Sequence, residues 1–155
     1  MRLKHVAVKH CRRFAIADLA FTIKKENDYF ACAAFAVTPA QDLLFLDMHR
    51  ERLEGPDIEP AIIAMVRRWD CSYIGVESNA AQLLVVQSLR KKGFTVRALK
   101  ADTDKLSRAI PATARMEAGQ IYLPAEAHWL EPFVDELLAF PHGAHDDQVD
   151  VLSYA

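Results

Sequence analysis

Hydrophobic and polar positions change their period once along this chain. In the first third, short apolar runs alternate with polar turns. "RFAIADLAF" reads as a buried strand with Asp18 inside it, and "KKENDY" suits a hairpin turn. "YFACAAFAVT" is a second strand, closed by a turn at Pro39, Gln41 and Asp42, and "DLLFLDMHRER" is a third. Three strands joined by short turns predict an antiparallel meander. Residues 1–12 precede it as a basic, weakly patterned stretch and read as a flexible lead-in.

After Pro56 and Asp57 the period becomes helical, with Ile58, Ile62, Ile63, Val66 and Trp69 on one stripe. "YIGVES" is a short strand. "NAAQLLVVQSLRKKG" is a helix with Asn79 as N-cap and Gly93 as the stop. "FTVRALKA" is a strand, and "DKLSRAIPATARMEAG" a helix with a kink or restart at Pro111. "QIYLP" is a short strand or an extended segment. "WLEPFVDELLAF" is a helix, and a last helix starts near His145. The expected order is β-β-β-α-β-α-β-α-(β)-α-α. It gives an α/β domain over residues 13–155, with a mixed five-stranded sheet whose first three strands are antiparallel and helices on both faces.

Composition changes this picture little. The 155 residues carry 19 Lys and Arg against 21 Asp and Glu, so net charge does not announce a nucleic-acid binder. The distribution is uneven: Arg2, Lys4, Lys9, Arg12 and Arg13 precede the first acid, and no Lys or Arg follows Arg115. Solvated surface charge and a cation site paired with a polyanion-friendly surface are both open readings. Cys11, Cys32 and Cys71 have neither metal nor disulfide spacing and read as reduced thiols. No run reaches the ~18 apolar residues of a membrane span and the N-terminus lacks a signal-peptide core, so the expected location is cytoplasmic, with no membrane partner.

Three places carry acids where the pattern wants apolar residues. Asp18 interrupts a strand, so it is paired, metal-bound or turned to solvent. Glu77 ends the strand "YIGVES", where ligands gather in mixed sheets, although a helix-entry acid has the same place. Asp146, Asp147 and Asp150 fall within one turn or so of the last helix, three and four residues apart, and read as sharing one face. Each alone has an ordinary explanation at a helix N-terminus. Together, like charges repel, and a divalent cation relieves that. A strand Asp, a strand-end Glu and helix Asp residues make an all-oxygen set suited to Mg²⁺ or Mn²⁺. Two such ions roughly 4 Å apart would activate a water and stabilise the leaving oxygen of a phosphodiester.

With "IGVESNAAQLLVVQSLRKKG", "DKLSRAIPATARMEAGQIYLP" and above all "FPHGAHDDQVDVLSYA", the chain resembles the C-terminal nuclease domain of phage terminase large subunits, from about Arg13 to Ala155. That resemblance implies a ribonuclease-H-like fold and a metal-dependent endonuclease that cuts double-stranded DNA during genome packaging in the host cytoplasm. It implies Asp18 and Glu77 as metal ligands from the first and fourth strands, with Asp146 and Asp147 as ligands from the last helix. Either of the two is the primary one, and Asp150 is a ligand, a supporting residue or structural. His145 either positions the phosphate or a water, or merely neighbours the helix cap. Implied partners are an ATPase domain or subunit, the small terminase and the portal. The chain has no G-x-x-x-x-G-K-[ST] motif, so it is not expected to be the motor itself.

For DNA contacts, Lys105, Arg108 and Arg115 recur at helical spacing, and Lys24 and Lys25 sit on the hairpin turn. Phosphate contacts from them would position DNA without reading sequence, and simple solvation is the competing reading. Three other functions share parts of this pattern. A Holliday-junction resolvase has the same fold and four acids. An isoprenoid synthase has the D-D-x-x-D pattern but is all helical. A non-catalytic module that docks DNA or a portal would have no use for clustered acids.

Overall fold

The structure, a computed structural model, describes residues 8–19, 29–77, 82–100 and 103–155. A short 3₁₀ turn, Val8–His10, leads into β1 (Arg12–Asp18). Then follow β2 (Phe30–Val37), β3 (Leu43–Glu51), α1 (Gly55–Trp69), β4 (Ile74–Glu77), α2 (Leu83–Lys91) and β5 (Val96–Leu99). The chain ends with α3 (Lys105–Glu117), β6 (Ile121–Tyr122), α4 (Leu130–Ala139) and α5 (Asp147–Ser153). The order matches the one expected from periodicity. Among the described residues no helix is long and apolar enough to cross a membrane.

The sheet has six strands in the order β5-β4-β1-β2-β3-β6, one more than the sequence suggests. The extra strand is "QIYLP": Ile121 and Tyr122 pair in parallel with Leu43 and Leu44. The sequence leaves that segment as a short strand or an extended one, because two residues carry too little alternation to decide. β1, β2 and β3 are antiparallel neighbours, as the meander requires, while β1, β4 and β5 run in parallel. All helices that follow a parallel strand therefore leave from one end of the sheet, the carboxyl end of β1, β4 and β5.

Alternation splits the strands between two cores. Ala15, Ala17, Cys32, Ala34, Ile74 and Val76 face α1 and α2, where Ile58, Ile62, Val86 and Leu89 meet them. Phe14, Ile16, Ala31, Ala33 and Phe35 face the other way, against Phe133 of α4 and Val151 and Leu152 of α5. Small residues on β1 and β2 let the helices approach closely, and burial on both faces supplies the hydrophobic driving force. The register of β2 on β3 shifts between Ala34 and Phe35, a bulge that puts Phe45 and Met48 on the same face although only two residues lie between them. Gly75 leaves room for its neighbours: a Cβ there would stand 2.6 Å from Ile16 Cδ1 and 2.9 Å from Leu99 Cδ1, so both side-chain ends would have to shift.

Two helix boundaries are instructive. Gly93, at φ +90°, stops α2 as expected, and the Phe94 amide returns to the Leu89 carbonyl at 3.1 Å. The Asn79 cap lies outside the described residues. α3 runs through Pro111 without a restart. A proline removes one intrahelical donor, and the first turn is held independently by Asp104, whose carboxylate accepts from the Ser107 amide at 3.0 Å.

Candidate functional site

Strand register places the first two acids. Ala17 pairs with Val76, so Asp18 and Glu77, the next residues on parallel strands, end β1 and β4 side by side. Both continue the parity that faces α5: Asp18 follows Phe14 and Ile16, and Glu77 follows Tyr73 and Gly75. Across the sheet, Asp18 lies opposite Ala31, and Ala31 opposite Arg50. One row on one face thus reads Glu77, Asp18, Ala31, Arg50. Asp18 is the last residue of its strand and half-buried, rather than in the strand interior.

α5 packs over β1 and β2 on this face and brings the remaining acids. Its N-cap position is Asp146, whose side chain makes no cap bond. The cap comes from another helix. Glu136 Oε1 of α4 accepts from the Gln148 amide at 2.7 Å and the Val149 amide at 3.2 Å, and Oε2 accepts from Gln148 Nε2 at 2.7 Å. A buried carboxylate on exposed-end amides satisfies donors that a short helix leaves orphaned, and it suits the positive end of the helix dipole.

The three aspartates do not share one face. Asp147 turns towards β3 and α4, with Arg50 Nη2 at 3.4 Å from its Oδ2. Arg50 also lies 3.7 Å from Glu136 Oε2 and stacks on the Tyr29 ring at 3.9 Å. Burial pushes the Asp147 carboxyl up, and the Glu136 charge adds to that, against Arg50. Asp146 and Asp150 turn the other way, towards α3. Lys105 Nζ sits 2.6 Å from Asp146 Oδ2 and 3.1 Å from Asp150 Oδ2. Arg108 Nη2 approaches Asp150 Oδ1 at 3.7 Å. Burial pushes Asp150 up more than the shared ammonium lowers it. Burial alone would lower Lys105, but its two carboxylates hold it above its usual value. One helical step rotates a side chain by about 100°, which is why adjacent acids part here.

Tyr154 joins this second flank to the strand ends. Its hydroxyl donates to Glu77 Oε2 at 3.2 Å, and Arg108 lies over its ring at 5.2 Å. Burial first, and Glu77 next, hold the phenol above its ordinary range. The ring therefore stays a donor to the carboxylate at any ordinary pH.

Other expected residues are placed as follows. Lys105 and Arg108, read as DNA contacts, lie against the acids of α5. Arg115 stands at the far end of α3, beside Arg12, Leu43 and Ser153, away from the carboxyl end of the sheet. The three basic residues thus do not form one stripe over the acids. His145 packs edge-on against Tyr29, ring centroids 5.2 Å apart. Lys24 and Lys25 lie outside the described residues. Sequence patterning does not single out Arg50, Glu136 or Tyr154. The available signals were an acid three positions from Phe133 on the inner stripe of α4, and an Arg at the parity of Met48 in β3.

As a cation site the arrangement is half assembled. Among the described residues no three His, Cys, Asp or Glu side chains stand close enough together to hold a metal. Yet Asp146 and Asp150 already converge on one cation, the Lys105 ammonium, and the acids of this face offer carboxylate oxygens. That chemistry fits a hard divalent ion. The cavity of about 480 Å³ beside Asp47, His49, Arg68 and His128 lies off the open edge of β3, not over Glu77.

The family model for the terminase RNaseH-like domain matches residues 15–155. No match is found among curated proteins. The fold is similar to that of the large terminase nuclease from thermophilic phage G20c with bound zinc, at TM-score 0.73 and 19% identity, covering 95% of this chain and 81% of that one. The magnesium-bound form of that nuclease gives TM-score 0.70 and 18% identity, covering 94% and 80%. RuvC of T. thermophilus in complex with a Holliday junction gives TM-score 0.52 and 13% identity, covering 92% and 90%. At these identities the likeness is one of fold.

Proposed function

We propose, because the chain belongs to the terminase RNaseH-like domain family, that residues 13–155 form a metal-dependent nuclease domain acting on double-stranded DNA. The observation that carries this reading is the row of Glu77 and Asp18 at adjacent strand ends, with the acids of α5 set over the same face. Carboxylates gathered beyond the carboxyl ends of parallel strands lie where α/β sheets bind ligands. Asp18 and Glu77 are the strand ligands, and Asp146, Asp147 and Asp150 supply the helix side. Mg²⁺ or Mn²⁺, as a pair of ions, would activate a water and stabilise the leaving 3′ oxygen.

The residues of the chain do the rest. Glu136 fixes the start of α5 and so aims its aspartates. Tyr154 holds Glu77 by its hydroxyl. Arg50 keeps Asp147 and Glu136 from repelling each other. The relatives named for zinc and magnesium support a divalent ion here by analogy of fold. An ATPase domain or subunit, a small terminase and a portal are the partners this reading brings with it.

Plasmid nicking with Mg²⁺ and with Mn²⁺ tests the proposal, using the parent and Asp18→Asn purified in parallel. The parent should nick and linearise duplex DNA with little sequence preference. The variant should bind DNA with unchanged affinity and lose turnover by about 100-fold or more. Equal cutting by both would refute the assigned site. A four-way junction in the same assay separates a duplex nuclease from a resolvase: faster cutting of the junction would favour the latter.

A further inference from the structure

We propose that Lys105 is a built-in occupant of the cation site: its ammonium bridges Asp146 and Asp150 in the metal-free protein and gives way when a divalent ion takes up these carboxylates. The inference rests on the metal-dependent reading above and goes beyond it in assigning a residue that competes with the metal.

The geometry points to this from three directions. Two carboxylates one helical turn apart meet a single Nζ at 2.6 and 3.1 Å. The ammonium sits between one oxygen of each carboxylate, where an ion bridging the two would also have to sit. It brings one positive charge to two carboxylates, and a divalent ion brings two. An ammonium and a divalent ion cannot occupy the same space, so binding of one requires departure of the other.

Lys105 is also the cation able to leave. Its side chain is 51% exposed, and it is the first residue of α3, so its stem can swing out without opening the core. A Lys stem is flexible and its head is a point charge. Arg108, by contrast, is 12% exposed and lies over the Tyr154 ring. On the other flank Arg50 is 21% exposed and stacked on Tyr29. Neither can withdraw without breaking a packed contact. Meanwhile Glu136 fixes the α5 backbone, so Asp146 and Asp150 stay converged when the ammonium goes.

Two measurements test this, neither of them cleavage. In the first, Mn²⁺ binding is followed by EPR, without DNA, for the parent, Lys105→Met and Asp18→Asn. If the ammonium holds the site most of the time, Lys105→Met should bind Mn²⁺ about tenfold more tightly, because the competing occupant is gone. Binding by Lys105→Met equal to or weaker than the parent would overturn the proposal. In the second, the lysines of the parent are labelled biosynthetically with ¹³C at Cε, which leaves each ammonium its charge and its three donors. The Lys105 signal is assigned by its loss in Lys105→Arg. In EDTA it should stand apart from the exposed lysines, and Mg²⁺ should move it to their position. The shift is read in the parent itself, and Lys105→Arg, which keeps the charge, serves only to assign it. A Lys105 signal that stays put while Mn²⁺ binds in the parent and not in Asp18→Asn overturns the competition and leaves the metal site intact. No Mn²⁺ binding by the parent overturns both.

Discussion

On the β3 side of α5, Asp147 lies beside Arg50 and Glu136, which expose 21% and 6% of their side chains. On the α3 side, Asp146 and Asp150 share an ammonium whose side chain is 51% exposed. Both flanks set two carboxylates against a cation, but they differ in what else the groups do. Glu136 bonds main-chain amides, and Arg50 is half-buried and stacked on Tyr29. Removing either member leaves the others with a charge unbalanced. Lys105, among the described residues, is held by the two acids at its ammonium and packs its head on no ring. One flank is built to fix the helix, and the other leaves its cation free to exchange. A short helix of seven residues cannot hold its own start, so the anchoring has to come from α4.

The largest effect should come from breaking the fixed flank. Glu136→Ala strands the Gln148 and Val149 amides and leaves Arg50 and Asp147 without their third partner. Loss of a buried, multiply bonded carboxylate should cost on the order of 3 kcal/mol of stability. Urea unfolding monitored by tryptophan fluorescence measures it, and Trp129 on the same core is a suitable reporter. Glu136→Gln should cost much less, since its carbonyl still accepts. If the two variants are equally destabilised, the amide cap is not what matters.

Arg50→Met should come next. It leaves Glu136 and Asp147 facing each other without a cation, at a cost on the order of 2 kcal/mol at neutral pH. The loss should shrink in acid, as one carboxyl of the pair takes up a proton. A loss that does not change between pH 7 and pH 5 would mean that Arg50 acts through its packing on Tyr29 alone.

How much of this was readable from sequence differs between elements. Strand and helix order came from periodicity, because both faces of the sheet are covered by runs of apolar residues such as "FACAAFAV". Asp18 and Glu77 stood out because an acid at the end of such a run breaks the pattern. The sixth strand showed only as a short strand or an extended segment, since Ile121 and Tyr122 are too few for alternation to decide. Asp146, Asp147 and Asp150 were visible as a cluster, but their division between two flanks was not. It depends on which helices pack beside α5, and those contacts join residues 41 and 97 positions apart. The same separation hid Arg50, Lys105 and Glu136: sequence shows charge, and only the fold shows which charges meet.

A smaller effect tests the exchangeable flank through pH. Asp150 has its folded-state pKa raised, chiefly by burial. The folded protein therefore holds this proton at pH values where the unfolded chain has released it. Between the ordinary carboxylate value of 3.8 and the raised one, this group favours the fold at the acid side and loses that contribution as pH rises. In EDTA, Asp150→Asn should gain stability relative to the parent as pH goes from 4 to 7. Melting temperatures of the two across that range give the difference directly, and a difference that falls with pH would show that Lys105 and Arg108 outweigh burial. Adding Mg²⁺ should reverse the order at neutral pH, because an ion that binds only the folded parent stabilises it by mass action.

The smallest expected effect lies at the root of the exchangeable flank, in the turn that carries Lys105. Asp104 caps α3 through the Ser107 amide at 3.0 Å and the Ser107 hydroxyl at 2.6 Å, and those bonds hold its carboxyl below the usual range. A lowered folded-state pKa means that the cap contributes above the unfolded value and is lost as pH falls through the folded one. Asp104→Ala should fray the first turn of α3 and leave the cap of α5 untouched, since Glu136 and Gln148 belong to other elements. Hydrogen exchange reads the two separately. The Ser107 amide should exchange faster in Asp104→Ala, while the Gln148 amide should keep its protection, and the melting temperature should fall only slightly. Faster exchange at both amides would mean that the two flanks of α5 are one cooperative unit, and that the ammonium cannot leave Asp146 and Asp150 without loosening the helix that Glu136 holds.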